Sequence, residues 1–154
     1  MAPLVIDTLD SLSKYVGQEI ATTEWIQVSQ SQIQRFADAT GDHNWIHIDA
    51  ERARRESPYG TTIAHGFLTM SVLSQFMSQS LCIQCGVPRT INYGLNRVRF
   101  PSPVRVDSRI RARITLMAVK NRDDCTEAVY SIVVEDGIAE KPCCVAEWIL
   151  RYYP

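Results

Sequence analysis

The N-terminal half of the chain alternates short apolar patterns with polar capping residues, and these predict one strand and two helices. Residues from about Glu19 to Val28 are expected to form a first strand. The run Ser29-Gln30-Ser31-Gln32 has the spacing of a capping box, and apolar residues then fall on one helical face until Gly41 ends the helix. A second, short helix is predicted to begin with Asp49 as its N-cap and to end before Pro58.

From Gly66 to about Cys82 the apolar residues fall on all sides of a predicted helix, and the positions between them are mostly Ser or Thr. A helix that is apolar all round, yet too short and too hydroxylated to span a membrane, belongs in the middle of a protein core. We therefore expect this helix to be largely enclosed. A curved sheet built from the C-terminal half is the element that can enclose it.

The C-terminal half has the pattern of strands joined by tight turns. Between Val104 and Leu116 nearly every second residue is apolar and the others are mostly charged, which is typical of a strand with one buried face. Further strands are predicted at Arg89–Phe100, Thr126–Glu135 and Cys143–Tyr152, with hairpin turns at Arg122–Asp124 and Asp136–Gly137. Because hairpins join antiparallel strands, the sequence predicts one α+β domain over residues 1–154, with a long central helix wrapped by a curved antiparallel sheet.

Composition agrees with a globular domain and argues against several kinds of partner. Of the 154 residues, 45% are hydrophobic and 21% charged, which is too apolar for a disordered chain. The formal net charge is -1, so no overall field favours nucleic acid or an anionic membrane. The first residues lack the basic segment and long apolar core of a signal peptide, and no stretch reaches transmembrane length. We expect a cytoplasmic protein.

Five cysteines raise the alternative of a zinc site or a redox pair, at Cys82-Ile83-Gln84-Cys85 and at Cys143-Cys144. No histidine lies at ligand spacing from either pair, and a structural zinc site normally needs four well-placed ligands. The first pair falls at the end of the apolar helix and the second in a predicted strand. We therefore expect reduced thiols and no metal.

Two short segments carry candidate chemistry. Asp42-His43-Asn44-Trp45-Ile46-His47 lies between the first two predicted helices, and Ala64-His65-Gly66 precedes the apolar helix. Taken alone, Asp42 is an ordinary turn residue and His47 a packed histidine ahead of an N-cap. Taken together, a carboxylate and an imidazole can share and activate one water molecule. A pair of this kind beside a His-Gly that opens a helix favours catalysis.

These segments resemble the MaoC-like dehydratase family of (R)-specific enoyl-CoA hydratases, which have a hotdog fold. The first is similar to the family's Asp-x-Asn-Pro-(Ile/Leu)-His motif, and the second resembles the Ala/Val-His-Gly segment that opens its central helix. A looser similarity extends from about Ile33 to Val104. Trp45 occupies the position of the usual proline, which would otherwise stiffen the loop. This departure points to the subgroup that resembles nodulation protein N.

The resemblance implies hydration of trans-2-enoyl thioesters to (R)-3-hydroxyacyl thioesters, and the reverse dehydration. In that reaction Asp42 and His47 would hold the attacking water and transfer its protons as general acid and base. The N–H of Gly66, at the start of the central helix, would support the negative charge that develops on the thioester carbonyl.

Supporting roles are implied for two more residues. Asn44 would steady the loop or the water by hydrogen bonding, and Ser74 would hydrogen bond to Asp42. His43 stands at the variable position of the motif, and His65 is expected to order the turn. Neither histidine is expected to transfer protons.

The resemblance also implies coenzyme A or acyl carrier protein as the carrier of the substrate, with no cofactor. Arg97 and Arg99 are candidates for binding the coenzyme A phosphates, the alternative being that they are solvated surface charges. Hotdog relatives pair edge to edge, so we expect a homodimer.

Two other functions stay open. One is an acyl-CoA thioesterase, which would not need this Asp-to-His spacing, and the other is a non-catalytic protein that binds or signals through acyl thioesters.

Overall fold

The computed structural model describes residues 3–84 and 89–154. The helices in these ranges are a 3₁₀ helix at Leu9–Tyr15 and the α-helices α1 (Gln30–Thr40), α2 (Trp45–Ile48), α3 (Ala50–Glu56), α4 (Gly66–Ser71) and α5 (Leu73–Ser80). The strands are β1 (Leu4–Ile6), β2 (Glu19–Thr22), β3 (Ile26–Gln27), β4 (Leu81–Ile83), β5 (Arg89–Arg99), β6 (Arg109–Asn121), β7 (Thr126–Asp136) and β8 (Cys144–Tyr153). The predicted helices at the capped segments and the four predicted C-terminal strands are all present.

One antiparallel sheet with the strand order β2-β6-β7-β8-β5 forms the body of the fold, and β3 also pairs with β6. The predicted α+β class with an antiparallel sheet is confirmed. The first strand is split into β2 and β3, because the Thr23 hydroxyl accepts the Ala112 N–H at 2.9 Å and interrupts the ladder there. A separate parallel pair, β1 with β4, was not predicted.

The inner face of the sheet carries the core. Along β6 every second residue points inward and is fully buried, and these residues are Ile110, Ala112, Ile114 and Leu116. Strand β7 continues the pattern with Tyr130, Ile132 and Val134. Burial of such side chains contributes roughly 1.5–3 kcal/mol each, so the alternation fixes which face of the sheet meets the helices.

The strand predicted at Val104–Leu116 lies further along the chain than expected. Val104 and Val106 belong instead to an extended segment that pairs with the approach to α4, where the Ala64 N–H donates to the Val104 oxygen at 2.8 Å. Asp107 then adopts a left-handed conformation with φ 64, which turns the chain into β6. The alternating apolar pattern from Val104 to Leu116 therefore spans two segments, one paired with the approach to α4 and the other with the neighbouring strands of the sheet.

The central helix is shorter and less enclosed than predicted. It breaks at Val72 into α4 and α5 and ends at Ser80, where β4 begins. One face packs in the core through Leu68, Leu73 and Phe76, but Phe67 is 64% exposed. The helix is therefore enclosed on its core side, and the side that carries Phe67 is uncovered in the single chain. No helix in the described ranges is long and apolar enough to cross a membrane.

Strand β5 forms an open edge of the main sheet. It pairs with β8 on one side only, and nearly all of its residues are exposed, including Ile91, Tyr93 and Leu95. Large apolar side chains along an unpaired edge are unusual for a surface in contact with water.

The described cysteines are free thiols. Cys125, Cys143 and Cys144 are buried and Cys82 is exposed, whereas Cys85, the other half of the Cys82 pair, lies outside the described residues. Burial raises the pKa of the Cys143 thiol to about 12 and that of Cys144 to about 11. The Cys143-Cys144 pair is therefore a pair of reduced core thiols, as predicted.

Candidate active site

Two helix caps hold the segment that carries the predicted catalytic pair. Gly41 ends α1 in the left-handed conformation, with φ 78. Asn44 Oδ1 accepts the Ile46 N–H at 3.3 Å and so caps α2, a single helical turn that we had not predicted. The Asn44 N–H also donates to Asp42 Oδ1 at 3.4 Å. Asn44 therefore steadies the loop, while its contact with a water stays a prediction.

His47 lies on α2 and is oriented by a hydrogen bond from its ring. Nδ1 lies 2.7 Å from the main-chain oxygen of Ile63. A carbonyl oxygen can only accept, so Nδ1 carries the proton and Nε2 presents a lone pair. The main-chain oxygen of His47 accepts from Gln30 Nε2 at 2.8 Å, and Gln30 Oε1 accepts from the Thr62 hydroxyl at 2.6 Å. These contacts tie the turn that carries His47 to α1 and to the segment before α4.

Asp42 and His47 converge with a third residue, His65. The closest carboxylate oxygen and ring nitrogens of the three side chains lie within 4.8 Å of one another. The Asp42 side chain is 56% exposed, and its Oδ2 is 4.0 Å from His65 Nε2. The exposed carboxylate of Asp42 and the half-buried imidazole of His47 are thus close enough for one water molecule to contact both.

The environment of His47 favours its neutral form. Burial lowers the pKa of His47 below the ordinary value for histidine, and His65 lowers it further. The hydrogen bond to Ile63 and the charge of Asp42 act in the opposite direction, but they do not overcome the effect of burial. At neutral pH the ring is therefore uncharged and can accept a proton on Nε2.

Gly66 is the first residue of α4, where amide N–H groups have no partner within the helix. A Cβ at this position would lie 3.0 Å from Phe100 Cδ2, so the Phe100 ring rests directly on the glycine. A cavity of about 330 Å³ opens beside it, and its walls include His47, Ile63, Gly66, Thr69, Phe100 and Val104. Among the described residues, His47 and Gly66 thus line one cavity, and Asp42 lies outside its lining.

In the described part of the chain, the side chains of Asp42, His47 and His65 are also close enough together to be considered as ligands of one metal ion. The two imidazole rings stack with centroids 3.8 Å apart and an interplanar angle of 29°. His65 Nε2 donates to the main-chain oxygen of Asp42, so this nitrogen has no lone pair to offer an ion. The cluster therefore does not suit a shared ion.

A family model for the MaoC-like domain matches residues 11–136. The chain belongs to the MaoC-like domain family. It is 45% identical over 147 residues to 3-hydroxyacyl-thioester dehydratase Z of Mycobacterium tuberculosis, an alignment that covers 95% of this chain and 96% of the relative. It is 43% identical over 143 residues to nodulation protein N of Rhizobium meliloti, covering 92% of this chain and 89% of the relative. The expected likeness to nodulation protein N is confirmed.

Solved structures agree on the fold. The (R)-hydratase from A. caviae involved in PHA biosynthesis superposes with a TM-score of 0.70 at 20% identity, covering 89% of this chain and 97% of that one. Together with the central helix and the antiparallel sheet, this likeness confirms that this MaoC-like chain has the hotdog fold.

Ser74 does not take the predicted place in this MaoC-like domain. It lies on α5, beyond the break at Val72, and no hydrogen bond joins it to Asp42 in the described chain. A helix rises about 1.5 Å per residue, so Ser74 lies roughly two turns from Gly66. Its exposed side chain lines a different cavity, of about 570 Å³, between α5, β5 and β8. The predicted hydrogen bond to Asp42 is wrong within one chain.

Arg97 and Arg99 lie near the C-terminal end of β5, on the strand that leads directly to Phe100 and the catalytic cavity. Both side chains are exposed, and neither forms a salt bridge with another described residue. The Arg99 guanidinium donates to the neighbouring Val98 oxygen at 2.7 Å. Their contact with coenzyme A phosphates stays a prediction.

Trp45 holds the loop in a way that the motif did not suggest. It is the first residue of α2, the helix position that proline favours. The Arg52 guanidinium lies 4.4 Å from the centroid of the Trp45 ring, and Arg52 Nε donates to Glu56 at 2.7 Å. The indole therefore fastens α2 to α3, and the loop is ordered without a proline.

Sequence reasoning missed two residues that shape the site. Phe100 forms the wall over Gly66, and Gln30 links His47 to Thr62. Phe100 had a weak signal, because it follows Arg99 in the segment that resembles the family. Gln30 had none, because its partners lie far away along the chain.

Proposed function

We propose that this chain catalyses the reversible hydration of trans-2-enoyl thioesters to (R)-3-hydroxyacyl thioesters, with Asp42 and His47 as the acid-base pair. The observation that carries the proposal is the convergence of these two side chains, with His47 lining the same cavity as the helix-opening Gly66. The 45% identity to a protein named 3-hydroxyacyl-thioester dehydratase, over nearly the full length of both chains, supports the reaction class.

The protonation of His47 fits the first step. Because Nδ1 donates to Ile63, Nε2 is free to accept a proton from a water that Asp42 also holds. The water oxygen attacks C3 of the enoyl group as the proton leaves. The electron pair of the double bond moves to C2 and the thioester carbonyl, and C2 then takes a proton from the Asp42 and His47 pair. The net change is the addition of one water.

The enolate formed between these steps needs a hydrogen-bond donor. The Gly66 N–H lies at the start of α4, where the helix dipole also favours negative charge. The Phe100 ring fills the side on which a Cβ of Gly66 would lie, so an acyl group would approach the amide from the cavity that Gly66 and His47 line. Dehydration of the 3-hydroxyacyl thioester follows the same steps in reverse.

No cofactor is required by this chemistry, because water and the enoyl thioester are both closed-shell molecules and neither is oxidised or reduced overall. Coenzyme A or acyl carrier protein carries the acyl group. Arg97 and Arg99, exposed on the strand that reaches the cavity, supply positive charge for the phosphates of the carrier.

The direct test is incubation of the purified protein with crotonyl-CoA and no added cofactor. The conjugated enoyl absorbance should fall, and chiral analysis should give the (R)-3-hydroxy product. An (S) product would overturn the stereochemical assignment. Release of free thiol would identify a thioesterase, and binding without turnover would identify a non-catalytic acyl-thioester binding protein.

We further propose that the protein is a homodimer joined along β5. The support is the open edge of this strand with Ile91, Tyr93 and Leu95 exposed, together with the exposed Phe67 on the uncovered side of the central helix. Light scattering at micromolar concentration should give twice the mass of one chain, which is 17.4 kDa. A monomer would overturn this assembly without affecting the reaction.

A further inference from the structure

His65 has a position that its role in ordering a turn does not explain. It is the N-cap of α4, directly before Gly66, yet its side chain makes no capping hydrogen bond. The side chain is only 3% exposed and lies against the catalytic loop. Histidine is seldom the best residue for filling such a space, since its polar nitrogens need partners when buried.

One nitrogen of His65 has a partner and the other does not. Nε2 lies 3.0 Å from the main-chain oxygen of Asp42. Since that oxygen can only accept, Nε2 carries the proton and donates it. Nδ1 is buried without a hydrogen-bond partner in the described part of the chain. Packing alone would favour an apolar ring here, so the contribution that this histidine makes is its Nε2 donor.

The ring of His65 contacts two others. It stacks on His47, with centroids 3.8 Å apart at 29°. Phe36 of α1 also contacts it, with centroids 5.1 Å apart at 50°. The position of the His65 ring is therefore coupled to α1 as well as to His47.

We propose that His65 is a positioning residue, which holds Asp42 through its Nε2–H and His47 through its ring so that both face one water molecule. This inference rests on the proposed hydratase function. His65 exchanges no proton in the reaction. It acts through two contacts with different chemistry, and each contact fixes one member of the catalytic pair.

Both contacts restrict motions that would separate the pair. The hydrogen bond of His47 to Ile63 holds one ring nitrogen, and the stack on His65 opposes tilting of the ring away from that plane. The Asp42 side chain is largely exposed, and its contacts with Asn44 and Thr40 lie within its own loop. The Nε2–H of His65 on its main-chain oxygen ties the residue to the start of α4 and so keeps it near His47. A misplacement of about 1 Å can lower a rate on the order of a hundredfold.

Three substitutions separate the contacts. His65→Phe keeps the ring and removes the donor, His65→Gln keeps an N–H at similar reach and removes the ring, and His65→Leu removes both. We expect His65→Phe and His65→Gln each to lower kcat for crotonyl-CoA hydration by roughly tenfold and His65→Leu by roughly a hundredfold. KM should stay within about twofold, because His65 holds the acid-base pair and not the acyl carrier. His43→Gln, at an exposed histidine, is the matched control.

Partial rescue is the readout that a purely structural role would not give. Far-ultraviolet circular dichroism and the thermal midpoint show whether each variant is folded. Should His65→Leu fail to fold, the Phe and Gln variants still decide the question. Equal kcat in wild type and in both of these variants would overturn the proposal. A fall in kcat that merely parallels a lower thermal midpoint would overturn it too, and so would an effect confined to KM. A wild-type protein that fails to hydrate crotonyl-CoA would overturn the proposed function itself, and the positioning role with it.

Discussion

Nδ1 of His47 donates to the main-chain oxygen of Ile63 at 2.7 Å, and this single bond decides which ring nitrogen is free. The segment that supplies the oxygen is fixed in turn, because the neighbouring Ala64 N–H donates to Val104. The approach to α4 therefore orients the base as well as positioning Gly66.

The first prediction concerns pH. His47 must be neutral to accept a proton, and burial lowers its pKa below the ordinary value. The neutral fraction rises as pH rises through that pKa, so activity is lost only when the solution becomes more acidic than it. The acidic limb of kcat/KM for crotonyl-CoA should be centred below about pH 6.5, the value of an unperturbed histidine. A limb centred above that value would contradict this account of the site.

The second prediction concerns Gly66. In Gly66→Ala the new methyl group would meet the Phe100 ring at 3.0 Å and would stand beside the amide that is proposed to bind the enolate. We expect kcat/KM for crotonyl-CoA to fall by about 10² to 10³-fold, comparable to the loss of one oxyanion donor, with the fold retained.

A second substitution tells crowding of Phe100 from obstruction of the Gly66 amide, whose N–H alanine retains. Phe100→Leu removes the ring edge that the methyl group would touch. If the amide matters, Gly66→Ala with Phe100→Leu should remain as slow as Gly66→Ala alone. Recovery to the level of Phe100→Leu alone would mean that Gly66 serves only to accommodate the ring.

The third prediction concerns Trp45. Its backbone suits proline, since it is the first residue of α2 and the preceding Asn44 has an extended conformation (ψ 131). Trp45→Pro should keep kcat within about threefold and should be more stable than Trp45→Ala by about 0.5 kcal/mol in urea denaturation, because proline restricts the unfolded chain. Arg52→Ala removes the other partner of the stack and should cost about 0.5–1 kcal/mol. A Trp45→Pro protein that folds but has lost activity would show that the indole has a direct role.

The sequence predicted correctly those helix starts that depend on contacts between residues close together in the chain. The cap at Ser29 accepts the Gln32 N–H at 3.3 Å, and Asp49 accepts the Arg52 N–H at 2.9 Å, each at the predicted helix start. Strand boundaries were predicted wrongly where one alternating sequence pattern runs through two segments that pair with different partners. Val104 and Val106 alternate with β6 in sequence but pair with the approach to α4, and the positive φ of Asp107 that separates them has no glycine to mark it.

The site was predictable as far as the motif reached. Asp42, His47 and Gly66 were found from the sequence, because a motif and the element after it occur in one short stretch. The contacts that hold them, from His65 to Asp42 and from Gln30 to His47, join residues distant in sequence, and no pattern marks them. Ser74 was misplaced because the helix break at Val72 and the uncovered helix face are tertiary features.

The central claim is that Asp42 and His47 act as one unit on one water. Asp42→Asn and His47→Gln preserve size and hydrogen-bonding capacity, but neither amide can exchange a proton near neutral pH. Each should lower kcat by at least about a hundredfold, with the thermal midpoint nearly unchanged. His43→Gln, which removes only an exposed contact with Asp38 at 3.0 Å, should remain active.

The most direct test is the double variant of Asp42→Asn with His47→Gln, compared with both single variants in crotonyl-CoA hydration. Groups that hold one water lose their contribution together, so the double variant should be little slower than the slower single variant. Losses that multiply in full would mean that the two residues act independently. A single variant with more than about a tenth of wild-type turnover would remove that residue from the acid-base pair.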